Sequence, residues 1–252
     1  MVLKILNANL WLISRGVSRD IQKRMENFVA MVDKLDPDVI LLQEVWKVKY
    51  ANYLKKALPK YYSVSSEKFW LANKCGLVAF SKLPVYDVSF IEYDSKKGSS
   101  LLEKLAKKGI LSFKIKYEGS EIGFYTAHLY NWSTAKEKQF TISQLVEFVQ
   151  LAKTKTSISA GDLNLKLDEV QNVCKGLISI DESVENTVSE NNPYTKGKIH
   201  KHMSKMGENK LNRKTDYFLF NFPLNKIVTQ TKVIRDPLVS DHYPLFTEIK
   251  IK

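Results

Sequence analysis

The sequence predicts an α+β protein in which two sheets pack face to face and helices cover their outer sides. Strand-like stretches outnumber helical ones along the whole chain, and most of them end in turn-forming residues. Their apolar residues either alternate, as in a strand with one wet face, or run without interruption, as in a strand covered on both sides. The chain has 252 residues, 44% of them hydrophobic and 11% aromatic, which is enough to bury a substantial core. Its 10 Gly and 7 Pro are scattered, and no stretch has the composition of a linker. We therefore expect one domain over residues 1–252, with no internal repeat.

The first strand is expected over residues 2–9, ending at Asn9, with Trp11 in the loop that follows. Ile21, Met25, Phe28, Val29, Val32 and Leu35 recur at helical spacing, and Asp36-Pro37-Asp38 stops that helix. Val39 to Leu42 is a continuous apolar run that gives out at Gln43-Glu44. Residues 76–80 and 85–93 read as strands parted by Lys82-Leu83-Pro84. Ile110 to Tyr117 and Ile122 to Leu129 flank Glu118-Gly119-Ser120 as a hairpin, and the second arm carries His128 near its end. Thr134 and Glu137 have capping-box spacing at the start of a helix that turns Phe140, Leu145, Phe148 and Val149 inward. Ser157 to Ala160 is a short strand running into Gly161-Asp162-Leu163-Asn164, and a short helix is expected from Glu169 to Lys175. Residues 196–214 carry seven Lys or Arg against the single acid Glu208, as an exposed basic loop would. Residues 215–220, 226–234 and 245–251 read as strands, the last preceded by Ser240-Asp241-His242-Tyr243-Pro244.

Composition narrows the function classes. Cys75 and Cys174 are too few for a disulfide framework and are expected as reduced, partly buried thiols. Residues 2–5 run straight into the first strand, so no cleavable signal is expected, and no apolar run is long enough to span a bilayer. The expectation is a cytoplasmic protein. A formal charge of +12 concentrates polyanions near the surface, which suits nucleic acid and anionic membrane equally; Lys-rich usage on a solvated surface would look the same.

The chemistry is expected where strands end, because such ends open into clefts. Asn9, Glu44, His128, Asp162 with Asn164, Asp216, and Asp241 with His242 all lie at or near strand ends. A donor set dominated by oxygen suits Mg²⁺, which keeps some of its waters and takes further oxygens from phosphate. Zinc would call for His and Cys at close spacing, and the chain has 4 His and 2 Cys in all. A Gly-Asp turn or an Asp-His pair taken singly also arises from local hydrogen bonding in turns, so the weight rests on the ensemble.

Strand-Asn9, Leu41-Leu42-Gln43-Glu44, Thr126-Ala127-His128-Leu129, Gly161-Asp162-Leu163-Asn164, Thr215-Asp216-Tyr217 and Ser240-Asp241-His242, in that order, together resemble the endonuclease/exonuclease/phosphatase (DNase I-like) superfamily. The resemblance extends from Leu3 to Phe246. It implies a four-layered αββα sandwich of two mostly antiparallel sheets, and a phosphodiester hydrolase using one or two Mg²⁺ ions, with Mn²⁺ as a substitute. By this resemblance Glu44 is the principal metal ligand with Asn9 beside it, and Asp241 is at or near the metal. Asp162 and Asn164 orient the attacking water and hold the phosphate. His242 acts on the scissile phosphate with Asp216 behind it, and His128 donates to a phosphate oxygen.

Two substrate classes compete. A nuclease fits the charge, the basic residues Lys196 and Lys198, and Trp11, Trp46 and Trp132, which would meet bases or else line the core and the cleft wall. A phospholipid phosphodiesterase fits segments similar to the neutral sphingomyelinase branch: Glu44-Val45-Trp46, Tyr61-Tyr62, Gly76 to Lys82, and Leu105 to Leu111. Leu101, Leu102 and Leu105 beside Lys104, Lys107 and Lys108 could rest on an anionic membrane or simply pack on the domain. An inositol phosphatase fits less well, because Asp216 stands in Thr-Asp-Tyr-Phe-Leu-Phe and not in that branch's Cys-Asp-Arg setting. A binding module without catalysis would show eroded cleft residues, and none of the expected positions is missing. Charge and compactness are read from the residues themselves, whereas the sphingomyelinase likeness lies in segments outside the site, so nucleic acid is favoured as the substrate of a monomeric enzyme with no obligate protein partner.

Overall fold

The computed structural model describes residues 2–13, 17–65, 68–69, 72–94, 107–132, 134–153, 156–181, 183, 185–196, 211–222 and 227–251. Lys198 and most of the expected basic loop lie outside the described residues, as do Leu101, Leu102 and Leu105.

Two six-stranded mixed sheets form the interior. The first runs in the order β13 (Ile227–Val233), β14 (Leu245–Ile251), β1 (Val2–Leu12), β2 (Val39–Val45), β6 (Val78–Ser81), β3 (Tyr62–Ser65). The second runs β11 (Ser179–Ile180), β12 (Asp216–Asn221), β10 (Ser157–Asp162), β9 (Ser120–His128), β8 (Gly109–Tyr117), β7 (Val85–Glu92). A small ribbon, β4 (Lys68–Phe69) with β5 (Ala72–Asn73), stands apart. In each sheet the central pair is parallel and the remaining pairs are antiparallel. Parallel neighbours need a crossover. In the first sheet the crossover from β1 to β2 is helix α1 (Ile21–Leu35); in the second, from β9 to β10, it is α3 (Ala135–Ala152). Helices α2 (Val48–Ala57) and α4 (Leu167–Cys174) complete the outer layers.

Three apolar clusters correspond to the three interfaces of a four-layered αββα sandwich. Leu3, Ile5, Val39, Leu41, Leu111, Phe113, Phe124, Ile158, Phe218 and Leu245 pack between the sheets. Leu6, Ile40, Leu42 and Phe80 meet Met25, Phe28, Val32 and Leu54 on the α1 and α2 side. Ala127, Tyr217 and Leu219 meet Leu145, Phe148, Val149 and Cys174 on the α3 and α4 side.

Local chemistry sets the helix limits. The α1 backbone stops where Asp36 turns left-handed at φ 48 while donating to Val32 O, just before Pro37. The expected capping box opens α3: Glu137 N donates to Thr134 Oγ1, and Thr134 N to Glu137 Oε2. Helix α2 was not foreseen; it buries only Tyr50 and Leu54 and has no side-chain cap. The expected loop at Trp11 is instead strand, because β1 continues to Leu12 with Trp11 at φ 48 and a register irregularity against β2 after Asn9. Cys75 and Cys174 are free thiols, as expected, and are buried more completely than expected. Among the described residues no helix is long and apolar enough to cross a membrane.

Candidate active site

Strand alternation carries polar side chains onto the end of the inter-sheet core. In β10, Ile158 and Ala160 face the core, so Asp162 follows on the same face. The same parity places Thr126 and His128 after Phe124 in β9, Asp216 before Phe218 in β12, and Asn7 and Asn9 after Ile5 in β1. In the second sheet Asp162 pairs in register with His128 on one side and Asp216 on the other, so the three occupy a single row. Gly161 permits this closeness, since a Cβ there would lie 2.0 Å from Ala127 O.

Glu44 breaks the alternation. Leu42 and Val45 both face α1 and α2 although they are three residues apart. The parity changes at Glu44, whose φ of 59 is left-handed; a non-glycine residue in that region is a mark of local strain. The side chain is thereby placed against Asn9 from the first sheet and within reach of the second. Trp46 packs beside it over Gly76, where a Cβ would come within 3.0 Å of the indole and 3.3 Å of Glu44 Cα.

Asn9 links the two sheets. Its Nδ2 donates to Glu44 Oε1 and to Asp162 Oδ2, both at 3.0 Å. The amide orientation is fixed by the N–H of Trp11, which donates to Asn9 Oδ1 at 3.0 Å. Asn164, left-handed at φ 51, donates from its backbone to Asp162 Oδ1 and from its side chain to Leu129 O. Trp132 Nε1 donates to Asn164 O at 2.8 Å, so this indole is fixed at the rim.

His242 enters from the segment before β14. Its Nδ1 lies 2.8 Å from Asp216 Oδ2, and its Nε2 lies 3.7 Å from Asp162 Oδ2. Burial opposes the charge of this imidazole, but Asp216, Asp162 and Asp241 outweigh it and raise the pKa to about 10. One ligating atom each from Asp162, Asp216 and His242 falls within 4.8 Å of the others; the contact between His242 and Asp216 already accounts for much of that closeness. His128 is the opposite case. Its Nε2 faces Asp162 Oδ2 at 3.7 Å and Glu44 Oε1 at 4.0 Å. Burial and the nearby Lys108 nonetheless drive its pKa down to about 3, so the ring is neutral. Burial and the Asp241 carboxylate push Glu44 up to about 7, against the hydrogen bond from Asn9.

The expected residues Asn9, Glu44, His128, Asp162, Asn164, Asp216, Asp241 and His242 thus converge, with Trp46 and Trp132 flanking them. Lys196 is exposed at the end of a 3-10 turn, Pro193–Lys196. That turn is docked beside Asp241, because Asn192 donates to Ser240 O at 2.9 Å.

Among the cations that the sequence reading missed, two bear on the site. Arg24 is fully buried, and its guanidinium donates to the carbonyls of Leu10, Trp11, Arg19 and Val239 and to the hydroxyl of Ser18. It ties the end of β1 to the segment that carries Asp241. Its signal was available: it stands on the apolar stripe of α1, where a charged residue needs partners. The other is Arg213, which the sequence merged into the basic loop.

The sequence profile of the Endonuclease/Exonuclease/phosphatase family matches residues 6–242. A comparison with curated proteins finds no match. Among solved structures, TDP2 of D. rerio complexed with a single-strand DNA product is similar at a TM-score of 0.76 and 18% identity, covering 99% of each chain. Sphingomyelinase C from Streptomyces griseocarneus is similar at 0.76 and 16% identity, covering 98% of this chain and 99% of the other. A beta toxin mutant from Staphylococcus aureus with bound magnesium ions is similar at 0.76 and 16%, covering 100% of both.

Proposed function

The chain belongs to the endonuclease/exonuclease/phosphatase family, and from that membership we propose that it is a divalent-metal-dependent phosphodiesterase acting on nucleic acid. The observation that carries the reading is the bridge of Asn9 between Glu44 and Asp162, with His128 and His242 each within 3.7 Å of Asp162. Carboxylates, one neutral imidazole and one charged imidazole meet there around one point.

The donor set fits a hard divalent cation. Glu44 holds its proton up to about 7 because burial and Asp241 crowd it, a strain that a bound cation offsets. Glu44 and Asp241 would hold Mg²⁺, with Mn²⁺ able to replace it and one or two ions accommodated. Bound there, the ion supplies Lewis-acid stabilisation of phosphate charge. Asn9, whose Oδ1 accepts from Trp11 N and keeps a second lone pair for the ion beside Glu44, also brackets Glu44 and Asp162 through its Nδ2. Asp162, also fixed by the backbone of Asn164, orients the attacking water and accepts its proton. His242 remains charged on Asp216 and offers Nε2–H to a phosphate oxygen. His128, neutral, donates through Nε2–H to a second oxygen, the tautomer favoured by the carboxylates it faces. Trp46 and Trp132 flank the two arms of the ester, one of which leaves as water enters, and Lys196 approaches the backbone.

A nucleic-acid substrate is consistent with the net charge of +12, and the likeness to a TDP2 complexed with single-strand DNA product supports it. The equal likeness to a sphingomyelinase C favours the second reading, a phospholipid phosphodiesterase. The test is one panel with Mg²⁺ and with chelator: single-stranded DNA, supercoiled plasmid, RNA, abasic duplex and sphingomyelin vesicles. Metal-dependent cleavage of nucleic acid with inert vesicles is expected; the reverse pattern assigns the enzyme to lipid.

A further inference from the structure

Arg213 stands three residues before Asp216, and the centre described above does not use it. Its main chain is paired in both directions with Val188, each bond 3.0 Å, and Val188 is in turn the antiparallel partner of His242. Residues directly opposite one another in an antiparallel pair project to the same face. Arg213, Val188 and His242 therefore share one face, with the Cα atoms of Arg213 and His242 about 10 Å apart, as one hydrogen-bonded and one non-hydrogen-bonded pair spacing dictate. That face is the cleft, since His242 Nε2 reaches to 3.7 Å from Asp162. The neighbouring backbone is fixed independently of the arginine side chain: Asn212 Oδ1 accepts from Ser189 Oγ at 3.0 Å and from Glu190 N at 3.1 Å.

Among the described residues the guanidinium has no hydrogen bond or ion pair, and its Nε is buried without a partner. Burial opposes its charge, and Asp162 and Asp216 are the carboxylates that favour it most. Neither is in contact, and both are engaged elsewhere: Asp216 with His242 and Thr215, Asp162 with Asn9 and Asn164. A half-buried cation in the field of two carboxylates, with an ion pair to neither, keeps a buried Nε–H unsatisfied, which an anion would complete. A planar fork of N–H donors matches two oxygens of one phosphate.

We propose that Arg213 is a substrate-binding residue whose guanidinium grips the phosphate of the ester beside His242. This rests on the phosphodiesterase reading and adds to it a second cation from the protein, beside His242.

The test compares wild type with Arg213→Gln and Arg213→Lys. On bis(4-nitrophenyl) phosphate with Mg²⁺, Arg213→Gln is expected to lower kcat/KM by about 10²-fold, the usual consequence of losing one charge-directed donor. Arg213→Lys keeps the charge but not the fork and is expected to lose about tenfold. Inorganic phosphate is the second probe and needs no turnover. It should raise the melting temperature of wild type and leave that of Arg213→Gln unchanged, while without phosphate the variant melts no lower than wild type. Equal stabilisation by phosphate in wild type and Arg213→Gln overturns the proposal, as does wild-type kcat/KM in that variant. A wild type that binds phosphate through Arg213 yet cleaves no diester would instead remove the phosphodiesterase reading and leave the anion site standing.

Discussion

His242 Nδ1 and Asp216 Oδ2, 2.8 Å apart, join the two sheets: Asp216 opens β12 of the second, and His242 precedes β14 of the first. Asp216 is thus both a tether and the main reason the imidazole stays charged to about pH 10. With its folded pKa raised above the unfolded value near 6.5, the pair's contribution to stability is complete below about pH 6.5 and is lost as pH rises through about 10. Asp216→Asn should lower kcat/KM by about 10- to 100-fold, as loss of an orienting partner does, and should move the alkaline limb of the rate profile toward neutrality. A profile of unchanged shape would remove Asp216 from this role.

Glu44 is held protonated beyond its ordinary range, from 4.5 up to about 7. The sign is the reverse of the usual carboxylate case. The folded state binds the proton more tightly, so this group costs stability as pH rises from 4.5 through 7, by on the order of 3 kcal/mol above that window. Glu44→Gln retains an acceptor for Asn9 and removes the charge. In chelator at pH 8 it should melt higher than wild type, and at pH 4.5 the two should coincide. Added Mg²⁺ should stabilise only the wild type. A variant that melts lower at pH 8 would mean that Glu44 is held by contacts other than those described.

The histidines give a direct spectroscopic check. Of the 4 in the chain, His128 is expected to be neutral and His242 charged throughout pH 5 to 8, given pKa values of about 3 and about 10. Imidazole nitrogen and carbon shifts should therefore show two rings that do not titrate in that window, one in each protonation state. Midpoints near 6.5 for all rings would contradict the electrostatics of the cleft.

Arg24→Met removes donors from the carbonyls of Leu10, Trp11 and Val239. Leaving such buried acceptors unpaired should cost about 3 kcal/mol in urea unfolding. Magnesium affinity should weaken as well, because the ends that carry Asn9 and Asp241 are no longer tied together. Unchanged stability would show that water replaces the guanidinium at no cost.

Much of the centre was legible because strand parity is local. Once Ile158 and Ala160, or Phe218 and Phe220, are assigned to the core, the positions of Asp162 and Asp216 follow. The α1 stripe and the Thr134–Glu137 box were equally plain. What was not legible depends on contacts far apart in sequence. The left-handed turn at Glu44 reverses an alternation that its neighbours support, and Trp11 keeps β1 running where its sequence looks like loop. Helix α2 is held by Tyr50 and Leu54 against a sheet, not by caps. The place of Arg213 beside His242 depends on Val188, whose own stretch has little pattern.

The most direct test of the account is the rate of single-stranded oligonucleotide hydrolysis by protein stripped with chelator, followed as free Mg²⁺ is restored. Glu44, Asp162 and His242 gathered around one hydrated ion predict no cleavage when stripped and a saturable return with Mg²⁺ or Mn²⁺, absent in Glu44→Gln. Cleavage undiminished by stripping, or restored equally in Glu44→Gln, would contradict it.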